Sequence, residues 1–228
     1  MSQAPGWWHE PRQISVVVDN PSWFLPYAEA LVAGLNETDD AATLCRSHEE
    51  IRRGGVAFYL GCVTIAPPEA LARNHRNLVV HASDLPKGRG FSPMTWLVLE
   101  GRNEIPVCLL EAAEEVDSGP IIYRSIVRLQ GHELVDELRA ALGALHVDLC
   151  RRFLAESAPP AGELQAGEAT TYRRRHPADS RLDPGQSIAE QFDLFRVVDN
   201  DRYPAFFDLR GHRYALSIKK LGPSGKLP

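Results

Sequence analysis

Long apolar runs are missing from this chain. No stretch approaches the roughly 20 residues that a bilayer-crossing helix requires, and the opening MSQAPGWWHEPRQ lacks the apolar core of a secretory leader. Cysteine is scarce and scattered. Cys45, Cys62, Cys108 and Cys150 form no Cys-x-x-Cys pair, which argues for buried free thiols and against a zinc site or a disulfide framework. Positive charge is not in excess either: a formal charge of −5 argues against a broad electrostatic grip on nucleic acid. No internal repeat is visible. Together these absences predict a cytoplasmic protein with no metal, no membrane and no nucleic-acid partner, and they leave a homodimer open.

What is present is ordinary globular chemistry. The 228 residues, 44% hydrophobic and 24% charged, suffice for one large domain with a small appendage. Apolar β-forming runs at residues 14–18, 42–45, 56–60, 78–80 and 105–110, and an extended run at 121–129, predict strands. Helices are expected at about 26–34, 94–100 and 132–156, with a capped helical turn at 47–50 and another helix opened by Pro67-Pro68-Glu69. In the long one, Leu134, Leu138, Leu142, Leu145, Leu149 and Phe153 recur at three- and four-residue steps, a stripe that would dock on a sheet. This alternation implies an α/β, Rossmann-like fold, a mostly parallel sheet with helices on both faces. Ala158-Pro159-Pro160-Ala161-Gly162 would close the core near residue 160. Residues 161–228 then form a small α+β appendage, with a helix at 187–198, a hairpin of 206–209 against 213–218, and a loose tail at 221–228. Trp7 and Trp8 are expected to pack on the body of the domain.

The chemistry gathers between residues 77 and 120. His81 ends an apolar strand and is followed by a loop punctuated by Pro86, Gly88, Gly90 and Pro93; Asp117 sits in a turn ahead of Gly119 and Pro120. A histidine at a strand end beside a long loop is where open α/β sheets carry chemistry. Taken singly, His81 would read as a structural residue and Asp117 as a turn cap.

Together they carry a resemblance. His-x-Ser-x-Leu-Pro-x-x-Arg-Gly-x-x-Pro followed by an Asp-Ser-Gly turn resembles the core of the folate-dependent formyltransferases, which include methionyl-tRNA formyltransferase, glycinamide ribonucleotide transformylase and the sugar N-formyltransferases. The Val-Val-His-x-Ser-Asp-Leu-Pro-Lys-Gly loop is similar to that of the enzymes acting on nucleotide-linked amino sugars of the pseudaminic acid precursor type. The resemblance implies N10-formyltetrahydrofolate as donor and an amine as acceptor. Such a site needs hydrogen-bond donors for a developing oxyanion, a proton acceptor, and an acid for the departing nitrogen. His81 would serve as base and charged donor, and Asp117 would orient its ring or relay protons. The family's usual Asn two residues before the histidine is Val79 here. Asn77 shares that strand face about 7 Å further back; it, a backbone N–H, Ser83 or charged His81 are the candidate replacements.

By the same resemblance the folate would lie between residues 56–64 and the loops at 83–93 and 111–117, with Phe58, Leu60, Cys62, Ser83, Asp84 and Leu85 as donor-binding candidates. Lys87 and Arg89 line the central loop as substrate-side candidates, Arg89 chiefly by holding loop carbonyls. The stretch after the first strand, DNPSWF, has no glycine and hence no phosphate cradle of the glycinamide ribonucleotide type. The basic run Tyr172-Arg173-Arg174-Arg175 beside Asp179 and Ser180 suits a nucleotide: guanidinium forks for a diphosphate, Tyr172 for the base. The expected acceptor is a UDP- or dTDP-linked amino sugar. An amino-acid, peptidyl or aminoacyl-tRNA acceptor, or a catalytically silent binding module, are the alternatives.

Overall fold

The computed structural model describes residues 4–223. Its elements run α1 (Gly6–His9), β1 (Gln13–Val17), α2 (Leu25–Leu35), β2 (Ala41–Cys45), β3 (Gly54–Tyr59), α3 (Pro68–Leu71), β4 (Asn74–His81), β5 (Arg89–Gly90), α4 (Pro93–Leu99), β6 (Glu104–Glu111), β7 (Ile121–Arg128) and α5 (Val135–Leu154). Beyond these come β8 (Thr171–Tyr172), a 3-10 turn (Pro177–Ser180), α6 (Phe192–Val197), β9 (Ala205–Leu209) and β10 (His212–Leu216).

Six strands form one sheet in the order β2-β1-β3-β4-β6-β7. The first four are parallel, as expected for strands joined by crossovers, whereas β6 runs antiparallel to both β4 and β7. The chain steps from β1 to β2 on one side and returns to β3 on the other. That reversal opens a crevice at the carboxyl ends of β1 and β3, where ligands bind in open α/β sheets.

Burial explains the strands. Val16, Val56, Phe58, Leu78, Leu109 and the α5 residues Leu138, Leu149 and Phe153 make one continuous core, while Val17, Ala57 and Tyr59 pack on the opposite face with Cys45, Ile51 and Ala70. α5 carries Asp136 and Glu137 in its first turn and Arg151 and Arg152 in its last, each complementing the helix dipole. Its stripe docks much as predicted, although Leu134 lies just before the helix and Leu145 is only half-buried. Trp8 is buried, with its indole N–H on the Glu156 carbonyl at 3.0 Å, and Trp7 stacks on His75. The four cysteines are free thiols. Among the described residues no helix is long and apolar enough to cross a membrane.

Three expectations change. Residues 47–50 form bends and a turn rather than a helical turn. The helix expected over 187–198 shrinks to Phe192–Val197: the Gln191 side chain bonds Asp183 and the Gln186 and Ser187 carbonyls, curling the preceding chain back on itself. The hairpin forms one residue earlier at its start and turns on Arg210 and Gly211, both at positive φ. Of the expected tail, residues 224–228 lie outside the described residues.

Candidate active site

A cleft of about 630 Å³ occupies the crevice. Its walls come from the turn after β1 (Asn20 to Phe24), the loop after β3 (Gly61 to Ala66), the end of β4, the 90–95 segment, and the turn carrying Asp117. The two loops nearest the reversal are tied together at their base. Asp19 accepts the Val63 and Thr64 N–H groups at 2.9 Å each and the Thr64 hydroxyl, and Asn20 donates to the Gly61 carbonyl at 2.8 Å. Burial alone would raise the Asp19 pKa; the bonds from Thr64, Asn20 and Val63 outweigh it and lower it. The wall beside β3 is apolar, and Val63 and Ile65 are exposed along it.

His81 reaches this cleft because β4 puts Asn77, Val79 and His81 on one face. The ring is clamped at both ends: Nε2 lies 2.8 Å from the Gly88 carbonyl, and Nδ1 lies 3.3 Å from Asp117 Oδ2. An imidazole meets two acceptors fully only when both ring nitrogens carry hydrogen. Both side chains are more than nine-tenths buried yet line the cleft.

Asp117 arrives from the loop between β6 and β7. The base of that loop is closed by the Glu111 N–H on the Pro120 carbonyl at 2.9 Å and by the Ala112 N–H on the Asn77 carbonyl at 2.7 Å. Gly119 is obligatory at the closure, since a Cβ there would meet the Glu111 carbonyl oxygen at 2.0 Å. Asp117 adopts φ 53°, a conformation uncommon outside glycine, and its Oδ2 also accepts the Gly90 N–H at 2.9 Å. One carboxylate thus joins the imidazole to the loop that follows it.

Several expected site residues stand elsewhere. Phe58 and Leu60 are fully buried in the main core and do not line the cleft; their neighbour Tyr59 does, because alternate strand residues face opposite sides. Cys62 lines the cleft, but burial pushes its thiol up to about 12, so it is a wall and no nucleophile. Ser83 and Leu85 are buried beneath the loop, away from the cleft, and Asp84 points outward to Arg124. Asn77 is committed to structure, donating to the Leu71 carbonyl at 2.9 Å and accepting from the Tyr59 hydroxyl at 3.2 Å. Lys87 is exposed outside the cleft. Arg89 does brace the loop, through the Glu115 and Gln165 side chains at 3.0 Å each rather than through carbonyls.

In the basic run, only Arg174 and Arg175 line the cleft. Tyr172 stacks on Trp96 and donates to Glu100 at 2.8 Å, facing away from it. Asp179 is taken by Arg173, whose guanidinium holds its pKa down at about 2, and buried Ser180 donates to the Tyr203 carbonyl at 3.2 Å. Arg175 is braced by the Val197 and Asp179 carbonyls, while the Arg174 guanidinium lies 4.5 Å over the ring of Phe91, itself a cleft residue.

Among the cleft residues that sequence reasoning missed are Trp23, Arg139, His146 and Arg202. Arg139 is paired with Asp199 at 2.8 Å, whereas the Arg202 guanidinium donates, among the described residues, to the Pro21 carbonyl at 3.3 Å. His146, on α5, meets the Val80 carbonyl at 3.3 Å from the far side of β4; burial drives its pKa down to about 4. It sits at helical spacing between Leu142 and Cys150, so a stripe of core positions hid it.

The site is thus an imidazole–carboxylate pair in the crevice at the strand-order reversal of an open α/β sheet. Residues 48–150 match the family described as formyl transferase. It is 29% identical over 172 residues to methionyl-tRNA formyltransferase of Ruegeria pomeroyi, covering 73% of this chain and 56% of that protein. The chain thus spans about half the length of the curated relatives it matches. Among solved structures, a methionyl-tRNA formyltransferase from Clostridium thermocellum superposes with a TM-score of 0.77 at 23% identity, covering 94% of this chain and 95% of that one. A sugar N-formyltransferase from a Shewanella species superposes at 0.65 with 15% identity, covering 90% and 96%. HypX from Aquifex aeolicus in complex with tetrahydrofolic acid superposes at 0.66 with 14% identity, covering 92% and 38%.

Proposed function

We propose that the chain transfers the formyl group of N10-formyltetrahydrofolate to the amine of a nucleotide-linked amino sugar. The observation that carries this reading is the His81–Asp117 pair at 3.3 Å in a cleft lined by Arg174 and Arg202, neither in an ion pair among the described residues. The cleft volume lies within the range of small-molecule sites, and the apolar wall of Val63, Ile65 and Ala66 suits a flat donor ring.

The donor supplies an activated one-carbon acyl group; the rest falls to the chain. Asp117 Oδ1, free of the bonds that occupy Oδ2, takes the proton shed by the attacking amine. Val79 has no hydrogen to give, Asn77 is engaged and Ser83 lies outside the cleft, so charge growing on the formyl oxygen falls to His81. An oxygen that displaces the Gly88 carbonyl from Nε2 meets a donor already aimed. As the new N–C bond forms, the bond to the folate nitrogen breaks, and that nitrogen takes up the proton that Asp117 received, which returns the carboxylate. Arg174 and Arg202 hold the acceptor's phosphates.

The names of the curated relatives favour a second reading, an aminoacyl-tRNA acceptor. A competition assay separates the two: N10-formyltetrahydrofolate with UDP- and dTDP-amino sugars in one arm and methionyl-tRNA in the other. Formylated sugar is the expected product. Formyl-methionyl-tRNA without formylated sugar would replace the first reading by the second.

A further inference from the structure

Residues 163–172 lie beyond the stretch that matches the family and contribute no cleft-lining group. They nevertheless bond Asp117 and the loop that follows His81. Glu163 bridges to Ile121 in two main-chain bonds of 2.8 Å, which starts the segment beside the Asp117 turn. Gln165 then donates both hydrogens of Nε2, to the Asp117 carbonyl at 2.7 Å and the Gly119 carbonyl at 2.9 Å, and its Oε1 accepts from Arg89 at 3.0 Å. Five residues on, Thr170 crosses to the loop after His81. Its hydroxyl accepts the Gly88 N–H at 2.9 Å and its carbonyl accepts the Arg89 N–H at 2.9 Å, and the main chain continues as β8 beside β5.

These contacts fall on the peptides that set the geometry of the pair. The Gly88–Arg89 peptide, whose N–H meets the Thr170 carbonyl, presents the Gly88 carbonyl that clamps His81 Nε2, and the Thr170 hydroxyl holds the adjoining Gly88 N–H. The carbonyls that Gln165 gathers belong to Asp117, at φ 53°, and to Gly119, at the loop closure. Without that amide, two carbonyl dipoles would face each other with no donor between them, and the strained turn would lose its anchor. We propose that residues 163–172 act as a strap across the two catalytic loops, with Gln165 as the positioning residue for Asp117 and Thr170 for the Gly88 clamp on His81. Neither touches substrate; each fixes the distance between imidazole and carboxylate, and small misplacements of such groups cost about a hundredfold in rate.

The activity part of the test rests on the formyltransferase reading, so it is paired with one that does not. Gln165→Met keeps length and removes every bond; Thr170→Val removes the hydroxyl. Leu164→Ala, at a side chain 85% exposed, is the control. The expected result is a fall in kcat of about tenfold to a hundredfold in the first two with KM for donor and acceptor little changed, and no change in the control. In 15N spectra the His81 ring signals, assigned by their loss in His81→Gln, move in the first two variants and stay in place in the third. If Gln165→Met does not fold, Thr170→Val decides. Unmoved His81 signals with unchanged kcat, or a kcat loss that only tracks the folded fraction, overturn the strap. Moved signals in a protein without formyl transfer would uphold the strap and sink the formyltransferase reading instead.

Discussion

His81 and Asp117 meet at 3.3 Å but are held by opposite means. His81 is the last residue of a strand paired on both sides, to β3 and to β6, with His146 supporting the Val80 carbonyl behind it. Asp117 belongs to no strand or helix. It sits at positive φ in a loop closed by Glu111 and Pro120, and its place depends on Gln165 and on the Gly90 N–H. The lesson is about where rigidity comes from: a ladder of backbone bonds on one side, a few specific contacts from distant chain on the other. The two sides should fail differently.

The largest effect belongs to the ring itself. His81→Ala should lower kcat by about a thousandfold while leaving the melting temperature nearly intact, because the ladder that positions it is backbone; a steady-state assay beside a thermal melt checks both, and retained turnover would remove His81 from the mechanism. Asp117→Asn comes next, at about a hundredfold in kcat, since the amide can keep the Gly90 bond and tolerates the left-handed backbone but cannot take the amine's proton.

The supports differ in the same way. An unfolded imidazole titrates near 6.5, whereas folded His146 titrates at about 4. The unfolded chain therefore takes up the proton first, so stability present above about pH 6.5 drains away as pH falls toward about 4. The loss is on the order of 3 kcal/mol. His146→Leu should flatten that dependence, read from urea midpoints at about pH 7 and about pH 4.5; a slope as steep as in the parent protein would assign it elsewhere. On the loop side, Gly88→Ala should cost about 1–3 kcal/mol. At φ 72° its Cβ would meet the Tyr172 ring at 2.8 Å, pushing the clamp off His81. An unchanged melting temperature would mean the loop is not packed as described.

This asymmetry also governs how much could be read from the sequence. The strands and the long helix were legible because apolar period is a local signal, whereas His81 stood out only through the motif that follows it. Phe58 and Leu60 were assigned to the cleft where Tyr59 belongs, since a strand's period is visible in sequence but not which parity faces which side. Arg89 was recognised as a brace, but its partner Gln165 lies 76 positions away with no pattern to announce it. Nor could the exposed-looking basic run reveal that Arg173 would be spent on Asp179 while Arg174 lined the cleft. Side chains that act across the fold on loops leave little periodicity behind.

The stacking of Tyr172 on Trp96 gives the molecule a built-in optical gauge. The Trp96 indole bonds the Arg173 carbonyl at 3.0 Å and lies under its guanidinium, so its fluorescence depends on whether β8 is seated. Trp7 and Trp8 pack against each other and Trp23 lines the cleft, so a chain with Trp96 as its lone indole would follow the docking of that segment in real time, with no label and no substrate.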